Sequence, residues 1–236
     1  TQDLRDHYIG YYAAVTEIDN NVARIIEHLE ARGLADNTII IYTSDHGLTT
    51  GHHGFWGKGN STRPLNMYET SLRIPLIFSG AGVVTGQAVQ HNITHYDTFQ
   101  TILDLADLHS DTDKSFPGKS YLQMLQGDVQ AWDETVYGEY GDLRMIRTPE
   151  YKLVMRYPHG PHDFFDLSID PQETTNQIHN QAYQDVIDSL KIQLEAFYDI
   201  YSSDELSGLK VKQLHQHNDH EAWRDGLREE RGLQIY

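Results

Sequence analysis

Residues 42–60 read YTSDHGLTTGHHGFWGKGN and crowd an aspartate, three histidines, a lysine and five glycines into one stretch. Asp45 offers a carboxylate suited to a hard cation such as calcium or magnesium, and His46 beside it could add one imidazole ligand. Gly47 lets the backbone turn behind them. Two side chains cannot complete a site of six or more ligands, so the remainder would come from elsewhere in the fold. The plainer reading is that Asp45 caps a turn and His46 packs nearby. His46, His52 and His53 together raise a zinc trio, but vicinal histidines on an extended loop do not easily converge on one metal. Lys58 lies between Gly57 and Gly59, where close backbone approach would leave it a cation for an anionic group. Exposed lysines in glycine turns are also common, and GKGN is not a phosphate-binding Walker loop. Asn60 and Arg63 follow, and either could hydrogen-bond a polar ligand.

These residues need elements to hold them. From Asp3 to Arg32, Tyr8, Tyr11, Tyr12, Val15, Ile18, Val22, Ile25, Ile26 and Leu29 recur at helical spacing, with Gly33 as C-cap. NTIIIYTS (37–44) predicts a fully buried strand in a parallel sheet, with the chemical loop at its C-terminal end, where open α/β sheets collect ligands. A second short strand is centred on residues 76–78. THYDTFQTILDLADL (94–108) predicts an amphipathic helix with Phe99, Ile102, Leu103 and Leu105 facing inward. After about residue 134 the texture changes. TVYGEY, LRMIRT, YKLVMRY and DFFDL are short runs between turn residues, the pattern of an antiparallel meander. A helix follows over about 180–198, with Val186, Ile187, Leu190, Leu194 and Phe197 on one face. The last 35 or so residues are polar, and His215, His217 and His220 read as a solvated face rather than a second metal site.

The formal net charge of −17 over 236 residues argues against nucleic acid, which needs a basic footprint. It also means that an anion site must be local, with a lysine or a metal overriding the background. There is no cysteine, hence no disulfide or thiolate metal site. That alone does not fix the compartment; a periplasmic or secreted location is the expectation. No stretch approaches the roughly 18 apolar residues of a membrane span, and no signal peptide is visible. The 15 tyrosines against 7 phenylalanines suit both a sugar-contacting surface and ordinary half-buried packing.

In order along the chain, these segments resemble the type I, formylglycine-dependent sulfatases of the alkaline phosphatase superfamily. YYAAVTEIDNNVARIIEHLEARGLADNTIIIYTSDHG is similar to the family's helix, strand and Asp-His-Gly metal loop. GHHGFWGKGN is similar to its Gly-x-His-Gly…Lys element, and MYETSLRIPLIFSGAG to the segment after it. HYDTFQTILDLADL with FPGKSYLQMLQG resembles the close of the main domain. FDLSIDPQETTN resembles the C-terminal Tyr-Asp-Leu…Asp-Pro-x-Glu…Asn signature. The likeness covers roughly residues 8–200. It implies an α/β fold with part of an alkaline-phosphatase-like sheet flanked by helices, plus a smaller C-terminal antiparallel sheet with a packed helix. Residues 1–130 would belong to the main domain, 131–200 to the C-terminal subdomain and 201–236 to a polar extension.

The same resemblance implies residue roles. Asp45 and His46 would ligate one calcium ion that neutralises sulfate oxygens. Lys58 would bind the sulfate or bridging ester oxygen. His53 would stand near the pocket mouth, and Asn60, Arg63 and Trp56 would fall among variable substrate contacts. The implied substrate is a sulfated small molecule or glycan; Arg63 and the aromatics suggest a sulfated sugar bearing a carboxylate. The family's nucleophile motif, Cys/Ser-x-Pro-x-Arg, is absent around all seven prolines. The paired aspartates and mid-domain histidine expected to complete the site are absent too. The expectation is therefore the C-terminal half of a sulfatase, partnered by an N-terminal half. Two alternatives stand beside it: a phosphate mono- or diester hydrolase of the same superfamily, and a non-catalytic calcium-dependent sugar-binding domain. The last would place Lys58 more than about 10 Å from the Asp45 carboxylate, beyond reach of a shared anion.

Overall fold

A computed structural model describes residues 4–108, 116–129, 131–203, 205, 207–211 and 213. The tail histidines 215, 217 and 220, and most of the predicted extension, lie outside the described residues. Helix α1 (Leu4–Ala31) leads through a short 3-10 turn to β1 (Ile39–Thr43). Gly33, at φ 65°, ends α1 as expected: its N–H donates to the Glu30 carbonyl and that of Leu34 to the Leu29 carbonyl. A small hairpin follows, β2 (Thr49–Thr50) against β3 (Trp56–Gly57), with His52–Gly54 as a 3-10 turn at its tip. Then come α2 (Glu69–Leu72), β4 (Leu76–Gly80), α3 (His95–Leu105) and α4 (Leu122–Leu125).

The predicted parallel sheet is corrected. β1 pairs with β4 in antiparallel register, from Ile39 opposite Gly80 to Thr43 opposite Leu76. An apolar run measures how buried a strand is meant to be, and carries no information on the direction of its neighbour. Nor is β1 fully buried among the described residues; four of its five residues are half-covered and Thr43 is exposed. The α1 stripe is only partly covered: Tyr12, Val15, Ile18 and Ile25 are exposed, and Tyr8, Val22, Ile26 and Leu29 are half-buried. Among the described residues, no helix is long and apolar enough to cross a membrane.

Helix α3 forms where predicted but seats a different face. Phe99 and Ile102 are exposed and Leu103 and Leu105 half-buried, while Asp97, Thr98 and Thr101 are buried. The docking is polar. Thr94 and Asp97 close a capping box, the second Asp97 oxygen accepts the Lys119 N–H, and Thr101 Oγ1 accepts the Tyr121 N–H. Periodicity scores apolar residues, so it misses a helix held by capping and hydroxyl bonds.

The C-terminal meander is as read: β5 (Val136–Tyr140), β6 (Leu143–Arg147), β7 (Tyr151–Arg156) and β8 (Asp163–Asp166) pair antiparallel in the order 5-6-7-8. Helix α5 (Gln184–Tyr201) lies on one face of it. Ile187, Leu190 and Leu194 of α5 pack with Ile146, Leu153, Met155 and Phe164, and Val186 and Phe197 flank them. Alternation sends the next residues to the other face, where Leu143, Met145 and Val154 pack on Met67 with Leu65 and Leu72. One face of this sheet thus makes a core with α5, and the other supports the loop that follows Lys58.

Candidate functional site

Asp45 and His46 sit just past the C-terminal end of β1. The Asp45 carboxylate is exposed and accepts the His46 N–H at 3.0 Å. Some desolvation pushes its pKa up, but backbone hydrogen bonds and the nearby His46 and Lys58 hold it below the ordinary carboxylate range. His46 is clamped at both ring nitrogens. Nδ1 stands 2.9 Å from the Gly47 carbonyl, which can only accept, so Nδ1 carries the proton. Nε2 is then an acceptor, and Lys58 Nζ donates to it at 2.8 Å. The Asp45 Oδ2 lies 3.5 Å from the same Nε2. A carboxylate oxygen, an imidazole nitrogen and a lysine Nζ therefore converge at one point.

Gly47 is required here for close approach. A Cβ on it would lie 2.5 Å from the Thr70 carbonyl oxygen and 2.7 Å from that of Arg73. Its N–H donates to the Ser71 carbonyl, and Thr49 bonds the hydroxyls of Thr70 and Ser71. Helix α2 thus forms the back wall of the Asp-His-Gly turn. The Lys58 turn is set by Ser61, whose Oγ accepts the Lys58 N–H, and by Asn66, whose N–H donates to the Gly59 carbonyl at 3.0 Å. Gly57 at φ 135° leaves room that a Cβ would take from Ser61 Oγ, 1.9 Å away.

The remaining predicted residues make their contacts apart from this trio. His53, in left-handed backbone at φ 54°, stacks on Tyr68 with ring centroids 3.8 Å apart. Burial, together with the neighbouring His52, lowers its pKa. His46 and His53 are thus committed to different partners, and among the described residues no three His, Cys, Asp or Glu side chains form a metal-holding group. The Arg63 guanidinium donates to the Asn60 and Thr62 carbonyls of its own turn. Asn60 is exposed on that turn. Trp56 packs edge-on against Tyr8 of α1 at 5.1 Å, and the Tyr8 hydroxyl donates to the Thr50 carbonyl.

Sequence reasoning passed over three contributors. His95, the first residue of α3, places Nε2 2.8 Å from the Ser44 carbonyl, just before Asp45. Tyr68 supports His53, and buried Asn66 ties the Lys58 turn to Ser71. Their signal was membership of the segments after Lys58 and at the α3 start, with nothing in residue type to mark a role.

Comparison with known proteins identifies the family. Residues 2–108 match the sulfatase family model. An arylsulfatase of Clostridium perfringens is 29% identical over 190 residues, 77% of this chain and 38% of its own length. An N-acetylglucosamine-6-O-sulfatase of Bacteroides thetaiotaomicron is 31% identical over 192 residues, 74% of this chain and 32% of its own. A solved structure, described as in complex with its substrate D-glucosamine-2-N,6-O-disulfate, superposes with a TM-score of 0.70 at 29% identity, covering 82% of this chain and 40% of that one. The chain thus spans between about a third and two fifths of the relatives it matches. It belongs to the type I sulfatases of the alkaline phosphatase superfamily and corresponds to a C-terminal part of their sequence.

Proposed function

We propose that this chain supplies the lysine side and part of the cation site of an enzyme that hydrolyses sulfate esters of glycans to alcohol and inorganic sulfate. The observation that supports this most directly is the shared imidazole: Lys58 Nζ at 2.8 Å and Asp45 Oδ2 at 3.5 Å from His46 Nε2. A sulfate group held there would meet the ammonium, which stabilises charge on the transferred group or the leaving oxygen in a site preorganised by α2. The lysine's closeness to the carboxylate also speaks against a sugar-binding module that would have no use for it.

The donor set fits one hard divalent cation, calcium being the reading of its oxygen-donor chemistry. Asp45 would give a carboxylate oxygen and His46 its Nε2, which would exchange the Lys58 hydrogen bond for the ion while the Gly47 carbonyl keeps the tautomer fixed. Such an ion, when bound, neutralises sulfate oxygens. The other ligands and the nucleophile would come from residues outside these 236, in an N-terminal half. His53, Asn60, Arg63 and Trp56 would line the sugar side. The glycan reading leans on the N-acetylglucosamine-6-O-sulfatase relative and on the disulfated glucosamine complex.

Turnover of sulfate and phosphate esters by the full-length protein tests this. The expected result is a preference for 6-O-sulfated glucosamine derivatives over matched phosphate esters of at least about tenfold in kcat/KM. A preference for the phosphate ester would overturn it in favour of the sister hydrolases.

A further inference from the structure

Strand β7 carries two buried cations on the face turned away from α5, Lys152 and Arg156. Lys152 is fully buried. Its Nζ donates to the Met67 carbonyl at 2.9 Å, and it pairs with Glu173 at 2.7 Å and Glu69 at 2.6 Å. Arg156 Nε donates to the Leu65 carbonyl at 2.9 Å, Nη1 to the Pro161 carbonyl, and Nη2 pairs with Asp163. Glu173 also accepts the Glu69 N–H at 2.6 Å through its second oxygen. Two side chains four apart on one strand face therefore read alternate carbonyls, Leu65 and Met67, of a single segment, 65–69, that runs into the start of α2. The pairing leaves neither cation without a carboxylate.

That segment joins the two halves of the candidate site. Asn66 within it bonds Gly59, next to Lys58, and its side-chain oxygen accepts from Ser71 Oγ. Ser71, two residues past Glu69, accepts the Gly47 N–H beside His46. A shift of 65–69 along β7 would move the Lys58 turn and the Asp-His-Gly turn together. Buried ion clusters are costly to desolvate and add little net stability compared with apolar packing. What they supply here is a fixed register between sheet and segment, because each cation has a single geometry that satisfies it.

We infer that Lys152 and Arg156 are positioning residues for the Asp45–His46–Lys58 site, acting by holding the carbonyls of Met67 and Leu65. The inference rests on the sulfatase reading for its kinetic consequence only. The test uses the full-length protein with Arg156→Met, Arg156→Lys, and the charge-balanced double variant Lys152→Met/Glu173→Gln. Hydrogen exchange is followed over residues 58–72 and over α5, alongside kcat and KM for a sulfate ester. For Arg156→Met and the double variant, the expected result is about tenfold faster exchange over 58–72 with α5 unchanged. With it, kcat should fall by about tenfold or more and KM should stay within about threefold. Arg156→Lys should recover part of both. Unchanged exchange over 58–72, or protection lost equally through α5, would overturn the inference. So would an unaltered kcat. If the parent protein turned over no sulfate ester at all, the proposed function would fall, and the exchange comparison alone would decide the clamp.

Discussion

The Lys58 ammonium donates to Nε2 of His46 at 2.8 Å, while the opposite ring nitrogen is bound to the Gly47 carbonyl. The imidazole is thereby fixed in tautomer and orientation, with its one lone pair facing the lysine. In a chain of net charge −17, this lysine supplies local positive charge beside the imidazole.

Replacing Lys58 by alanine should lower kcat for a sulfate ester by roughly 10²- to 10³-fold, the cost of losing one preorganised stabilising donor. Steady-state kinetics on the full-length protein measure this. A loss below about threefold would remove Lys58 from the reaction.

Asp45→Asn should weaken divalent-cation binding, because the amide keeps the shape and loses the charge that a hard cation needs. Calcium titration by calorimetry, with chelator-treated protein as the reference, gives the comparison. Chelator should also depress sulfate-ester turnover in the parent, and added calcium should restore it.

Gly47→Ala should destabilise the protein by about 1–3 kcal/mol, the usual range for forcing a methyl into a filled space. Its Cβ would meet two backbone carbonyls at 2.5 and 2.7 Å, and backbone has little room to yield. Urea denaturation reports the stability, and calcium affinity should fall with it as α2 is pushed off the turn.

His162 gives a pH dependence of defined sign. Burial, then the charges of Lys191 and Arg156, lower its pKa below the ordinary histidine value, and its Nδ1 accepts the Arg156 N–H at 3.1 Å. The native state thus holds a proton less tightly than the unfolded chain does. Its contribution is complete above about pH 6.5 and is lost as pH falls through the lowered native value. Melting temperatures of the parent and His162→Gln, taken from pH 8 to pH 5, should converge toward the acid end. Parallel curves would show that His162 does not titrate on unfolding.

Leu194→Ala should cost about 2–5 kcal/mol. Its side chain is fully buried between α5 and the meander. The same denaturation series measures it.

The sequence by itself determined the elements whose signals are local. Gly33 closing α1, the four short runs of the meander and the Ile187, Leu190 and Leu194 face of α5 all follow from backbone freedom or from the period of apolar residues. Asp45, His46 and Lys58 stood out as candidates by residue type and by resemblance, while the approach of Lys58 Nζ to His46 Nε2 is a property of the fold. Tertiary structure alone decided that β4 runs antiparallel to β1, because strand direction depends on the connection rather than on the apolar run. It also decided that α3 docks through Asp97, Thr98 and Thr101, whose hydrogen bonds leave no mark in an apolar period. The same holds for Lys152 and Arg156. In sequence they stand as two charges in a strand; their partners are the Met67 and Leu65 carbonyls 85 and 91 residues away. A hydrogen bond to a distant backbone oxygen is specific in space and has no signature in residue type.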